Sequence, residues 1–162
     1  MNGLALLREE MTQLLTARGI GAVSAWPGDA ARRGPLAVVR LKKLTAAPAG
    51  LQGYLGQIET GGLWQERHGQ ALTVTFGLTL YASEHTGESG CRDLLDAVAE
   101  VLLAGGPAGL AVEEWSADAP VFDAKAGLFR AEVAVRCRAV LLTEEDEDGG
   151  PVDFELQGRI ER

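Results

Sequence analysis

Apolar and polar positions alternate most cleanly in LTVTFGLTLYA, Leu72 to Ala82. Leu72, Val74, Phe76, Leu78 and Leu80 fall on one side, and Thr73, Thr75, Gly77, Thr79 and Tyr81 on the other. A period of two in a stretch rich in β-branched and aromatic residues predicts a strand with one buried face. LFRAEVAVRCRAVLL, Leu128 to Leu142, repeats the pattern: Phe129, Ala131, Val133, Val135, Cys137, Ala139 and Leu141 point one way, and Arg130, Glu132, Arg136 and Arg138 the other. Two matched apolar faces need a cover. CRDLLDAVAEVLL lies between them and predicts a helix with an apolar stripe of Leu94, Val98, Val101 and Leu102.

The remaining elements follow in chain order. Leu4, Leu7, Met11 and Leu14 recur at helical spacing, widened by Leu15, and predict a first helix over Gly3 to Arg18 with Asn2 as N-cap. Gly19 suits the left-handed residue of a Schellman stop, with Ile20 folding back on Leu15. A short strand is expected over Gly21 to Trp26, then a turn at Pro27-Gly28-Asp29, then a strand over Leu36 to Leu44. Thr45 to Gln70 is Gly-rich and lacks clear periodicity; its aromatic content argues for a folded or partner-ordered excursion such as a long hairpin. Ser83 to Gly90 reads as a polar loop in which Thr86 or Ser89 caps the second helix, and Gly105-Gly106-Pro107 ends that helix. A strand over Leu110 to Trp115 and a turn-bearing loop over Asp118 to Gly127 precede the long partner strand. The acidic run Glu144 to Gly150 breaks the structure, and VDFELQGRI is a last strand or an arm. This order predicts an α+β fold: a mainly antiparallel sheet with two helices packed on one face, a long loop or hairpin excursion and a C-terminal arm.

Length and charge narrow the picture. A chain of 162 residues is most simply one domain with a core of its own, and its 46% apolar and 23% charged residues are ordinary for a globular protein. No run of about 18 apolar residues exists to span a membrane. The acidic residues in MNGLALLREEMTQ do not fit a signal peptide, which predicts that the protein stays where it is made. A net charge of −8 disfavours a general grip on nucleic acid. Cys91 and Cys137 lie on different elements and read as reduced, small apolar fillers. With His68 and His85 they match no zinc spacing.

Enzyme signatures fail in turn. Gly19-Ile20-Gly21 lacks a third glycine and precedes a strand, and Gly105 to Gly109 follows a helix, the wrong side for cradling phosphate. Ser89 sits in GESGC, which is not a nucleophile elbow. His68 and His85 read as solvated loop residues. A calcium loop read from Glu144 places carboxylates at Glu144, Asp146, Asp148 and Glu155 and a glycine at Gly149, but Pro151 and a preceding strand make a solvated acidic tip the better reading. No catalytic residue, metal or cofactor is expected. Trp26, Trp115 and Phe122 read as caps on the core's edges, while Tyr54 and Trp64 in the excursion divide between local packing and a protein contact.

The layout resembles a family. The first helix is followed by LAVVRL, a GYLG-containing excursion, HGQALTVTFGLTLYA, the G-x-x-x-C helix GESGCRDLLDAVAEVL, and the close VFDAKAGLFRAEVAVRCRAVLL. Together these segments, from Gly3 to Leu142, resemble the tail terminator (tail-completion) proteins of long-tailed bacteriophages and phage-tail-like particles. The resemblance implies a virion component assembled in the bacterial cytoplasm: a ring, typically of six subunits, that caps the tail tube, stops its polymerisation and joins it to the head connector or neck. Its partners would be further copies of itself, the tail tube protein and the connector, with DNA passing the lumen without specific binding and no membrane involved; like-charge repulsion adds the hypothesis that this lumen is acidic. The family carries no active site. Contact candidates are Lys43 at the end of the strand before the excursion, Tyr54, Leu55, Ile58, Trp64 and Arg67 in the excursion, and Phe154, Leu156 and Ile160 in the arm.

Three other readings stand beside it. One is another tail or neck protein of the same fold. The second is a small cytosolic ligand-binding or enzymatic domain using a pocket between the sheet and the excursion; Gln57, Glu59, Gln65, Glu66, Arg67 and His68 form no recognisable pattern for it. The third is nucleic-acid binding through Arg32, Arg33, Arg40, Lys42 and Lys43, which the overall charge opposes.

Overall fold

The computed structural model describes residues 3–27, 34–48, 54–60, 63–145 and 151–157, with side chains described at 5–27, 34–48 and 69–141. Two helices cover one face of a single mixed, mostly antiparallel sheet, the α+β architecture the sequence predicts. In chain order the elements are α1 (Gly3–Ala17), β1 (Ala22–Val23), β2 (Leu36–Pro48), β3 (Tyr54–Thr60), β4 (Leu63–Tyr81), α2 (Gly87–Ala104), β5 (Ala111–Ala117), β6 (Val121–Asp123), β7 (Leu128–Glu145) and β8 (Pro151–Gln157).

β4 and β7 form the spine. They pair antiparallel without a break in register from Glu66↔Glu145 to Tyr81↔Arg130. Leu80 faces Ala131, Leu78 faces Val133, Phe76 faces Val135 and Val74 faces Cys137, so the two apolar sets meet on one side. α1 adds Leu7, Met11 and Leu15 to this layer, and α2 adds Cys91, Leu94, Val98, Val101 and Leu102. Phe76, Leu78, Leu80, Met11, Leu15 and Val98 have no solvent exposure. Burying each such side chain contributes about 1.5–3 kcal/mol before the entropy of ordering it is set against that.

α1 ends as its sequence dictates. Gly19 takes φ +82°. The Ile20 N–H donates to the Leu15 carbonyl at 3.0 Å and the Gly19 N–H to the Thr16 carbonyl at 3.1 Å, the two bonds of a Schellman motif. Leu15 and Ile20 then enter the same core. Asn2, the expected N-cap, lies outside the described residues, as does the turn at Gly28-Asp29.

Several boundaries differ from expectation. The strand expected over Gly21 to Trp26 is only Ala22–Val23, paired parallel with β2 at Ala37 and Val38. Pro27 restricts the backbone of Trp26 and has no N–H for a ladder, so the chain bends away. β2 runs on to Pro48, and β4 begins at Leu63, nine positions before its core alternation. The excursion at 45–70 is strand in all its described parts, with β3 and the start of β4 paired antiparallel from Thr60↔Leu63 to Tyr54↔His68, the long hairpin expected. Pairing on both sides of β4 holds it extended where its own pattern does not: β2 and β3 lie on one side and β7 on the other. The expected loop at 118–127 contains β6, closed onto β7 by a turn in which Asp123 Oδ1 accepts from the Lys125 N–H at 3.0 Å. The C-terminal segment is a strand, β8, paired with the end of β7; residues 146–150 of the acidic run lie outside the described residues.

Thr86 occupies the N-cap position of α2, but its backbone is helical and its side chain makes no cap bond. Its Oγ1 donates to the Ser83 carbonyl at 3.3 Å and lies 2.9 Å from the Ser83 hydroxyl. Ser89, the other capping candidate, lies inside the helix and bonds the Thr86 carbonyl.

Candidate functional site

Both helices lie on the Leu72–Leu80 side, so among the described residues the opposite face of the sheet has no helix over it. Strand parity puts Thr73, Thr75, Gly77, Thr79 and Tyr81 of β4 on this open face, with Arg130, Glu132, Arg136 and Arg138 of β7 beside them. From β2 come Val38, Arg40 and, after a bulge between Leu41 and Lys43, Lys43 opposite Thr75. Lys42 belongs to the same face: a Cβ placed on Gly77 would stand 2.7 Å from Lys42 Cε, so the lysine stem lies across the glycine. β5 contributes Glu113 and Glu114 at its own bulge.

The charges are ordered along this face. At the end nearer β1, Glu132 accepts from Thr79 Oγ1 at 3.0 Å, from Arg40 Nη2 at 3.2 Å and from Arg130 Nη1 at 2.8 Å. Arg40 also donates to Thr79 Oγ1 at 3.0 Å, and Arg130 Nε lies 3.4 Å from Asp123. This cluster ties β2, β4 and β7 together. It lines a cavity of about 290 Å³ walled by Trp26, Val38 and Tyr81. The polar groups in it are directed at one another, which suits a brace for the sheet better than a binding site. Further along, Arg136 pairs with Glu114 at 2.8 Å and Glu113 at 3.4 Å, and Arg138 reaches Glu113 at 3.9 Å.

Two of the expected core caps sit on the surface instead. Trp26 is 44% exposed and rests on Tyr81, ring centroids 4.5 Å apart, on the open face. Phe122 is 58% exposed and meets Phe129 edge-on at 5.4 Å. Each stacks on a ring of the neighbouring strand or loop, one layer outside the core. Trp115 packs against the core as expected.

The predicted contact residues fall into two groups. Tyr54, Leu55 and Ile58 lie on β3, Trp64 and Arg67 on β4, and Phe154 and Leu156 on β8. Register joins them into one four-stranded extension in the order β3-β4-β7-β8, with Ile58 opposite Gln65, Gly56 opposite Arg67, His68 opposite Thr143, and Thr143 opposite Phe154. β3 and β8 form its outer strands, each paired with one described strand only. Lys43 stands apart, exposed on the open face of β2. Ile160, Arg32 and Arg33 lie outside the described residues. The cluster of Glu132 with Arg40 and Arg130 was not singled out from sequence, because only the register of three strands brings those residues together.

Reactive chemistry is sparse. Cys91 and Cys137 are free and buried. Burial pushes both thiols up, Cys137 to about 12 with the negative charge of Glu113 adding to it, so neither forms a nucleophilic thiolate near neutrality. His85 is an exposed loop residue 3.8 Å from Glu84. Among the described residues, no group of three or more His, Cys, Asp or Glu side chains is arranged to hold a metal ion. A groove of about 320 Å³ runs between the end of α1 and α2, lined by Gly19, Ile20, Thr86, Asp93 and Leu94 among others. No helix among the described residues is long and apolar enough to cross a membrane. No protein-family model matches the chain, and neither does any curated protein.

Proposed function

We propose that this chain is a structural, non-enzymatic component of a bacteriophage tail: a tail terminator whose copies close into a ring on the tube, stop its growth and join it to the head connector. The observation that carries this reading is the extension β3-β4-β7-β8, whose two outer strands each pair with one strand only among the described residues, leaving there an edge of backbone donors and acceptors. Open edges are liabilities in an isolated molecule and natural docking sites in an assembly. The segment resemblance to tail terminators supports the same conclusion, and the free thiols of Cys91 and Cys137 are buried with raised pKa. In such a ring each copy presents one patch to its neighbour and receives another, as closed heterologous assembly requires.

The test is native mass across a range of concentrations, together with electron microscopy of tail tubes grown with and without the protein. Six copies of the 17.1 kDa chain give a particle of about 103 kDa, and tubes should carry it at one end and stop lengthening. A chain that stays monomeric at high concentration and also leaves tube ends bare would overturn the reading.

A further inference from the structure

Ion pairing on the two layers is incomplete, and the shortfall has opposite sign on each. On the open face Lys42 and Lys43 are exposed and make no ion pair among the described residues, whereas the neighbouring Arg40 and Arg136 are matched by Glu132, Glu113 and Glu114. On the outer face of α2, Asp93, Asp96 and Glu100 are exposed and likewise have no ion pair among the described residues. Glu88, one turn earlier, is matched by Arg92 at 2.7 Å. Asp93, Asp96 and Glu100 follow i, i+3, i+7 spacing and so form one stripe about 10 Å long. The stripe ends beside Leu103, which is 76% exposed.

These two sets cannot meet within one molecule. α2 packs on the Leu72–Leu80 side of the sheet and Lys42 and Lys43 project from the other. Their geometry nevertheless matches. Lys43 lies opposite Thr75, and Thr75 opposite Arg136, so the basic rows of β2 and β7 stand two strand spacings apart. That separation is about 10 Å, close to the width of a helix with its side chains. The floor between them is Thr73, Thr75 and Gly77, with the flexible Lys42 stem lying over the glycine.

We infer that the open sheet face around Lys42 and Lys43 receives the acidic outer face of α2 (Asp93, Asp96 and Glu100) from a second copy of this chain. The contact is heterologous, so it propagates around a ring, and in that sense it rests on the ring proposed above. A nucleic-acid backbone fits the face less well. Glu113, Glu114 and Glu132 stand among the cations and already pair with Arg136 and Arg40, so a polyanion spanning the whole face would have to displace them.

The test is charge exchange in the full-length chain, read as assembly mass by sedimentation at low and high salt, with circular dichroism confirming the fold. Lys42→Glu with Lys43→Glu should weaken self-association about tenfold or more, as should Asp96→Lys with Glu100→Lys, and combining all four should restore it. The neutral pair Lys42→Gln and Lys43→Gln, gentler on the strand, should weaken it to a lesser degree. Assembly that is insensitive to all of these, or a fourfold variant that is folded yet not restored, overturns this contact while leaving the ring itself standing. A wild-type chain that never associates, alone or on tubes, overturns both. Retention of the wild type on DNA that the lysine changes abolish would assign the face to nucleic acid instead.

Discussion

Glu132 is the side chain on which the open face turns. It accepts from Thr79, Arg40 and Arg130, residues of three adjacent strands. Removing it leaves two guanidinium groups facing each other with no anion between them. Because the pairs are part-exposed, the cost is moderated by solvent: Glu132→Ala should lower stability by about 1–2 kcal/mol, read from the urea midpoint. Glu132→Gln keeps an acceptor and should cost less. The thiols act in the opposite direction of pH from most titrating groups. Cys137 is raised by burial from its ordinary 9.0 to about 12 in the folded chain. Stability from the protonated thiol is fully present below pH 9 and is lost as pH rises toward 12. Cys91 and Tyr81 are raised as well, again chiefly by burial, and add to the same slope. Urea midpoints should therefore fall between pH 9 and 11, and Cys137→Ala should flatten that fall even though it lowers stability at neutral pH.

At the level of elements, the end of α1 shows what local chemistry decides. Gly19 sits at φ +82° with nothing within 4 Å of an added Cβ, so Gly19→Ala would meet backbone strain alone. Its expected cost is about 1–2 kcal/mol in denaturant unfolding, and Gly19→Asn should cost less. That stop was readable from sequence because a helix C-terminus needs only its own last turn and the next two residues. The core halves of β4 and β7 were readable for a similar reason: Leu72–Leu80 and Ala131–Ala139 each carry a period of two against one buried layer. Residues 63–71 were not. Gly69, Gln70 and Ala71 break the alternation, and the strand is held by β3 and β7, one of them some seventy positions away. β6 escaped notice because three residues are too few to show a period. The basic face was half legible: Arg40, Lys42 and Lys43 stand together in sequence, but only the register of β2, β4 and β7 sets them across from Arg136.

At the scale of the whole molecule, net charge and local charge differ. The chain carries −8 overall, yet its open sheet face gathers Arg40, Lys42, Lys43, Arg130, Arg136 and Arg138. Net charge governs approach from a distance, while the patch governs contact. A long polyanion approaching this chain meets the net repulsion first, and on the face it meets Glu132, Glu113 and Glu114 among the cations. DNA titrated against the protein at about 150 mM salt should therefore bind no more tightly than a non-specific dissociation constant of about 10⁻⁴ M, measured by fluorescence anisotropy. Tight binding with a steep log–log dependence on salt would mean that phosphates displace the carboxylates from Arg136 and Arg40. A shallow slope of about −1.8, that of two phosphate contacts, would mean that only Lys42 and Lys43 are engaged. Weak or absent binding is what the proposed ring requires: a basic face occupied by a neighbouring copy could not also hold nucleic acid passing beside it.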